Sequence, residues 1–187
     1  MKKEVLLKSE EKKALRLFFK EKRRKISLKR REIAEKHLLD DLYPSLIGYG
    51  AVLSFASFGD EINMWPLNEI LCNEGRLILP RIEDDTISIY HVKDIQKDLV
   101  ESSYRILEPD PKKTKKHSVL NIHCALVPAL GFDEYNHRLG YGMGHFDRFI
   151  FELENSITVG VGFKEQFVGD PLPVEEHDKK LDHVILF

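Results

Sequence analysis

Cysteine is scarce in this chain: Cys72 and Cys124 are the two present in 187 residues. They lie far apart, with neither a CxxC nor a Cys/His metal spacing, which excludes a disulfide scaffold and a thiolate metal centre. Two buried thiols in a reducing, cytoplasmic compartment are the expectation. Missing too is any apolar run near the ~20 residues a membrane-spanning helix requires. The first ten residues, Met-Lys-Lys-Glu-Val-Leu-Leu-Lys-Ser-Glu, lack the apolar core of a secretion signal. Proline and glycine are sparse at 8 and 11 residues, so no low-complexity tract or fibrous repeat is built from them. Charge of one sign is not in excess. A net charge of −2 gives no general attraction to nucleic acid or membrane. The first forty residues are the exception, with roughly two basic residues per acidic one, so a local anionic partner stays open. What remains is an ordinary globular composition, 42% hydrophobic and 32% charged. It suits one domain over residues 1–187 with a real core, expected to be a monomer.

The glycines are few but concentrated. Gly140, Gly142 and Gly144 alternate within Arg138-Leu-Gly-Tyr-Gly-Met-Gly-His-Phe-Asp-Arg148. Alternating glycines allow successive backbone N–H groups to form an anion-binding nest, and a helix N-terminus directly downstream adds its positive dipole end. Arg138 and Arg148 bracket the nest with fixed charge, and Asp147 supplies a hard oxygen of the kind Mg²⁺ takes. No Gly-Lys-Ser/Thr follows, and position 145 is His where a dinucleotide fingerprint needs its third glycine. The alternative is a tight strand-to-helix turn with no ligand.

Ser9 reads as the cap of a first helix whose Leu15, Phe18 and Phe19 form one buried face. Ser27 reads as a second cap, followed by Leu28, Ile33, Ala34, Leu38 and Leu42 and a stop at Tyr43-Pro44. Ala51–Ala56 is a continuous apolar run, as in a strand covered on both faces. A short helix at Pro66–Cys72 closed by Gly75 leads to a strand at Arg76–Pro80, a turn at Asp84-Asp85 and an alternating strand at Thr86–Val92. Lys112–Lys116 reads as an exposed loop. Cys124–Leu130 is a second buried strand and delivers the chain to the glycine loop. A helix through Phe149–Glu152 and strands at Ile157–Phe163 and His183–Leu186 complete the pattern. Helices alternating with strands predict a three-layer α/β/α sandwich around a largely parallel, mixed sheet, and such sheets bind ligands beyond their strands' carboxyl ends.

Lys12 and Arg16 share a helix face, where like charges at this spacing repel and cations near the helix start oppose the dipole. A bound polyphosphate would turn both penalties into attraction; a solvated basic face would absorb them. Asp60-Glu61 follows Gly59 at the end of the first buried strand. Such acids can be catalytic or can read a donor-rich ligand edge, or they can be loop carboxylates in water. Asp178 could join Asp147 around a metal or begin a turn. His137, His145 and His177 are candidate acid–base groups, or packing residues.

These segments, in this order, resemble the 5-formyltetrahydrofolate cyclo-ligase family. The resemblance rests on Lys12, Lys13, Ala14, Leu15 and Arg16 with Arg23 downstream, Gly59-Asp-Glu61, Leu79-Pro-Arg81, Val127–Asp133, and above all Asn136–Arg148. Ile106–Pro109 and Leu172–Asp178 match weaker signatures, so the likeness runs from about Lys12 to Asp182. It implies a Rossmann-like plan and an ATP- and Mg²⁺-dependent closure of 5-formyltetrahydrofolate, with or without a polyglutamate tail, to 5,10-methenyltetrahydrofolate. It further implies that Lys12 to Arg16 and the loop Arg138, Leu139, Gly140, Tyr141, Gly142, Met143, Gly144, His145 and Phe146 hold ATP. Glu61 and Gly142 to His145 would contact folate, Asp147 and Asp178 would be the Mg²⁺-associated acids, and Arg81 would line the site. It names no acid or base.

The family's usual Gly-Lys-Gly-Tyr-Tyr-Asp is altered here: Met143 stands for the lysine, His145 and Phe146 for the tyrosines. A compensating Lys or Arg, or weaker ATP binding, follows from the first change. A non-catalytic folate or nucleotide binder is the alternative that these changes leave open. A sugar-phosphate isomerase or acyl-transfer enzyme, and a nucleic-acid binder, fit the paired ATP segments and the net charge less well. Asp147→Ala is expected to abolish Mg²⁺-dependent turnover and leave the melting temperature nearly unchanged.

Overall fold

In the computed structural model of the chain, residues 2–102, 105–175 and 178–187 are described. The chain opens with α1 (Lys2–Arg24) and α2 (Leu28–His37). Ser27 caps α2 as its sequence suggests, its hydroxyl accepting from the Arg30 N–H at 3.3 Å. Ser9 does not cap α1. It lies inside a helix that starts at Lys2, because the preceding Lys, Glu and Leu residues are themselves good helix formers. Nor does Tyr43-Pro44 stop the second helix. A π-helical stretch at Leu38–Leu42 and then α3 (Tyr43–Ser45) carry the chain through Pro44. The proline sits in the first turn of α3, where a missing N–H costs least.

The strands are β1 (Val52–Leu53), β2 (Leu77–Glu83), β3 (Thr86–His91), β4 (Leu99–Glu101), β5 (Leu107–Pro109), β6 (Lys115–Lys116), β7 (Cys124–Val127), β8 (Gly131–Asp133), β9 (Arg138–Leu139), β10 (Ile157–Gly162), β11 (Phe167–Val168) and β12 (His183–Leu186). Helices α4 (Trp65–Asn73), α5 (Ile95–Asp98) and α6 (His145–Ile150) lie between them. Seven strands form the main sheet in the order β12-β10-β7-β1-β2-β3-β6. From β12 to β2 all neighbours are parallel; β3 and β6 add antiparallel strands at one edge. The β2–β3 turn is made by Asp84 and Asp85, both at positive φ, as its sequence suggests. Two corrections belong here. The Lys112–Lys116 stretch is not all loop, since its last two residues pair with β3. The run Ala51–Ala56 contributes a paired strand of two residues, Val52 and Leu53.

Alternation along the central strands separates two cores. Val52, Leu77, Leu79, Cys124 and Leu126 face α2–α4, meeting Ala34, Leu38, Leu42, Leu67 and Leu71. Their neighbours Leu53, Ile78, Ala125 and Val127 face the other way, against Phe149 and Ile150 of α6 and Phe132. Each strand therefore buries both of its faces, which is what a parallel sheet with helices on either side demands. The free thiols of Cys72 and Cys124 are buried, and burial pushes the Cys124 thiol up to about 11. Of the residues expected inside, Phe19, Ala34, Leu38 and Leu42 are buried, whereas Phe18, Leu28 and Ile33 are exposed. A third cluster seats α1, with Phe19 against Leu130, Leu139 and Leu172. Phe19 lies where a Cβ on Gly131 would be, 2.5 Å from its ring, so the glycine is required for this approach. No helix among the described residues is long and apolar enough to cross a membrane.

The connections define where a ligand can enter. From β1 the chain crosses through α4 to β2 on one side, whereas β7 leads through α6 to β10 on the other. Between β1 and β7 the order reverses, and a crevice opens at their carboxyl ends. Two segments reach it from those strands: Ser54–Glu61 leaving β1, and the chain leaving β7. The latter does not run directly into the glycine loop. It first makes the β8–β9 hairpin, whose turn at Asn136 has φ of 64°. Leu130 N–H donates to Leu139 O at 2.8 Å, and the Asp133 carboxylate accepts from the N–H groups of Tyr135 and His137.

Candidate active site

A cavity of about 280 Å³ occupies that crevice. Its wall is mostly apolar: Phe55, Phe58, Pro80, Ile82, Ile87 and Ile106 come from β1's exit, β2, β3 and the residue before β5. Polar groups converge on it from Glu61 and from the glycine loop, Arg138 to Asp147. A flat ring system with a few hydrogen-bonding edges suits such a lining.

The glycine loop keeps its expected form in part. Gly142 and Gly144 have φ of 104° and 73°, and Gly144 precedes α6, so His145 starts the helix and Asp147 falls in its first turn. Helix α6 has six residues, so its dipole is slight. Gly140 serves close approach: a Cβ there would lie 2.9 Å from Arg138 Nη1. Arg148 does not face the nest alone, since its Nη2 donates to Asp85 O at 3.0 Å.

Around the loop are three charge clusters. Lys12, 7% exposed, holds Glu175 at 2.5 Å and Asp178 at 2.7 Å. Burial favours its neutral form, but the two acids outweigh burial and raise its pKa. Arg16 donates from Nε to Gly140 O at 3.0 Å, and its guanidinium lies against Gly142. It is the cation that stands over the loop where Met143, 60% exposed, cannot. Arg138, buried behind the loop, pairs with Asp147 at 2.6 Å. Burial pulls its pKa below the usual value against the opposing pull of Asp147 and Asp178, and its Nε has no partner. Among the described residues no group of three or more His, Cys, Asp or Glu comes together as a metal cage. The donor set is thus two carboxylates, each held by a cation. It fits a Mg²⁺ that arrives on phosphates and uses one or two protein carboxylates.

The third cluster surrounds Glu61, which is 8% exposed. Burial pushes its carboxyl up, and bonds from the Tyr141 hydroxyl and, at 3.2 Å, the Phe58 N–H offset part of that rise. Arg23 donates to the Tyr141 oxygen at 2.9 Å and to Asp60 at 2.6 Å. Burial also drives the Tyr141 hydroxyl far above its ordinary range.

Other sequence candidates fall elsewhere. Lys13 and Ala14 are exposed on α1, and Leu15 and Leu139 belong to the α1 core cluster. Phe146 packs edge-on to Phe149, 6.4 Å between ring centres, with Arg138 over its face at 5.9 Å. His145 lines the cavity wall with Nδ1 3.0 Å from Asp85 O, while its Nε2 is buried without a partner. Arg81 is not among the lining residues. It alternates with Pro80 and Ile82, which are, and donates instead to Pro109 O at 3.0 Å. His137 is a packing residue: its ring meets the buried Asp133 carboxylate at 3.0 Å, away from the cavity. His177 lies outside the described residues.

Residues 8–186 match the description of the 5-formyltetrahydrofolate cyclo-ligase family. The chain belongs to that family. Membership places it among enzymes, the 5-formyltetrahydrofolate cyclo-ligases. The Escherichia coli K12 5-formyltetrahydrofolate cyclo-ligase is 32% identical over 151 residues, spanning 76% of this chain and 81% of that protein. The Mus musculus cyclo-ligase is 26% identical over 144 residues, 70% of each chain. The solved Aquifex aeolicus 5,10-methenyltetrahydrofolate synthetase superposes with a TM-score of 0.81 at 26% identity, covering 96% of this chain and 89% of that one.

Two roles at this site were not legible in the sequence: Arg23 as a site residue, and the reach of the Tyr141 side chain, expected on the ATP side, to Glu61. Arg23 extends the stripe Lys12, Arg16, Phe19 at i, i+4, i+7 and i+11, one face of a helix. That stripe is the signal that could have found it. Tyr141 carried no such signal, because nothing local says that a loop side chain reaches another loop.

Proposed function

We propose that this protein closes 5-formyltetrahydrofolate to 5,10-methenyltetrahydrofolate, consuming ATP and releasing ADP and phosphate. The carrying observation is the meeting of two environments at the sheet's switch point. A charged end, where Lys12, Arg16 and Arg138 gather with Glu175, Asp178 and Asp147, joins an apolar cavity holding a buried carboxylate, Glu61. The first suits a triphosphate, the second a fused ring with donor edges.

In the proposed reaction the formyl oxygen attacks the γ-phosphorus and ADP leaves. The oxygen on the formyl carbon has thereby become a good leaving group. N10 then bonds to that carbon, the C–O bond breaks to release phosphate, and the N10 proton is lost. Phosphoryl transfer depends mainly on positioning and on neutralising charge. Lys12 and Arg16 would turn to the phosphates from α1. Backbone N–H groups of the loop from Arg138 to Phe146 would hold the nucleotide, with Gly142, Met143, Gly144 and His145 also against folate. Arg138, freed from Asp147, would neutralise the charge that develops on the transferred group. Asp147 and Asp178 would hold Mg²⁺, which would supply neutralisation of phosphate charge. Glu61 would accept hydrogen bonds from the pterin's N–H groups. The apolar wall excludes water, which protects a phosphorylated intermediate from hydrolysis. We further propose a cytoplasmic, monomeric, single-domain protein with no nucleic-acid partner.

The test is formation of methenyltetrahydrofolate, followed by its absorbance, with purified protein, ATP, Mg²⁺ and 5-formyltetrahydrofolate. Turnover dependent on all three supports the reading. Folate binding without ADP release would instead make this chain a binding protein.

A further inference from the structure

Tyr141 belongs by its backbone to the glycine loop, and by its side chain to the opposite wall of the crevice. Its hydroxyl donates to Glu61 Oε1 and accepts from Arg23 Nη1 at 2.9 Å. Its ring leans on Phe58 at a tilt of 43°, 5.7 Å between centres, and Arg23 covers its face at 5.6 Å. Arg23 is fixed in turn: Nε and Nη2 both hold Asp60 Oδ1, at 3.0 and 2.6 Å. Arg31 of α2 closes the frame by donating to Asp60 O and Arg23 O. Three pieces of chain, α1, the Gly59–Glu61 loop and the glycine loop, therefore meet at one hydroxyl, and α2 braces them through Asp60 and Arg23.

Proton positions in this chain of bonds are fixed by chemistry. Arg23 can only donate, so the Tyr141 oxygen accepts from it and spends its single proton on Glu61. Glu61 accepts from Tyr141 on one oxygen and from the Phe58 N–H on the other. Both bonds select its ionised form, and each oxygen retains a lone pair for a ligand. Without the tyrosine, a buried carboxyl beside Asp60 drifts toward protonation. A protonated Glu61 presents a donor where a pterin N–H also donates.

We propose that Tyr141 is a positioning residue for the folate half of the reaction, keeping Glu61 ionised and aimed, rather than a residue whose side chain serves ATP. This rests on the cyclo-ligase reading given above. It assigns the loop two tasks on its two sides: Arg16 and the backbone at Gly140 and Gly142 toward the nucleotide, and the Tyr141 hydroxyl toward folate. Closing the loop on one substrate then also orders the acid that receives the other.

The experiment is a double-mutant cycle on the full chain with Tyr141→Phe, Glu61→Gln and both, reading KM separately for 5-formyltetrahydrofolate and for ATP. Tyr141→Phe should raise KM for folate about tenfold, the loss expected of a hydrogen bond to a charged group. KM for ATP should change less than twofold. In the Glu61→Gln background the same substitution should have little further effect, because the carboxylate through which it acts is gone. The acid limb of kcat/KM for folate should move to higher pH in Tyr141→Phe. The charged and titratable groups around Glu61 remain in place: Arg23 of α1 and Asp60 of its own loop beside it, Arg24, Arg31 and Glu35 in the neighbouring cavity, and Glu108, Arg138, His145 and Asp147 across its own. Equal rises in both KM values, or full additivity with Glu61→Gln, would overturn the proposal. If Tyr141→Phe fails to fold, Tyr141→Met removes the hydroxyl at similar bulk and carries the same cycle. Absence of turnover in the unsubstituted protein would instead overturn the cyclo-ligase reading itself.

Discussion

Replacing Asp147 by alanine removes the carboxylate 2.6 Å from Arg138, whose side chain is 3% exposed. The sequence alone suggests a residue needed for Mg²⁺ and irrelevant to stability. The buried partner reverses the second half of that expectation. Breaking a fully buried ion pair from one side costs about 3–5 kcal/mol, because it strands a charge. Here the Asp147 carboxylate is 24% exposed, and Asp178 still acts on Arg138. Those two facts reduce the cost to about 2 kcal/mol, roughly half the fully buried figure. For a chain of this size each kcal/mol moves the melting temperature by about 2–4 °C, so a fall of about 4–8 °C is expected. Asp147→Asn keeps an acceptor oxygen for Arg138 and should fall by less than about 1 kcal/mol. Calorimetry on all three proteins gives the melting temperatures; absorbance of methenyltetrahydrofolate gives turnover per folded molecule. Both substitutions should remove most turnover. A melting temperature unchanged in Asp147→Ala would refute the stranded-charge argument. Full turnover per folded molecule would reduce Asp147 to a counterion of Arg138.

Three further outcomes follow from the geometry. Gly160→Ala should destabilise the fold by about 1–3 kcal/mol in urea titration, since its Cβ would meet Phe132 at 2.5 Å and Leu181 at 2.8 Å in a packed core. Asp133 has its carboxyl held below the usual range; burial raises it, but bonds from Leu172 N–H, His137 N–H and the His137 ring prevail. Its contribution is therefore complete above its unfolded value of 3.8 and lost as pH falls through the lower folded value. Asp133→Asn should flatten the pH dependence of urea stability in that acid window. Lys12 shows the opposite sign: its raised pKa gives stability present below 10.5 and lost as pH rises through the higher folded value. Lys12→Met should remove that alkaline loss and raise KM for ATP.

The parts of the fold carried by local pattern were readable. Cys124 to Val127 is a run of buried residues in a strand flanked by parallel neighbours, so its continuous apolarity was sufficient. Gly142 and Gly144 adopt the positive φ that their spacing suggests, and Ser27 caps as a serine before a helix should. Elements specified by tertiary partners were not readable. β8 and β9 are too short to show a period, and exist because each pairs the other. Ser9 sits mid-helix because nothing in the preceding residues opposes a helix, and cap signals alone do not fix an end. Within the site, Lys12 and Arg16 were visible as a repulsive pair on one face. The acids they meet from the tail, and the bond from Tyr141 to Glu61, connect residues 163 and 80 positions apart. No window of sequence contains both ends of such contacts.

The central claim is that the charged end of the crevice and its apolar cavity hold ATP and 5-formyltetrahydrofolate together for reaction. Its most direct measurement is a stoichiometric assay with the purified protein, following methenyltetrahydrofolate and ADP in the same sample. The account predicts one ADP formed per ring closed, with neither product when ATP, Mg²⁺ or the folate is left out. Ring closure without ADP, or ADP release indifferent to the folate, would contradict it.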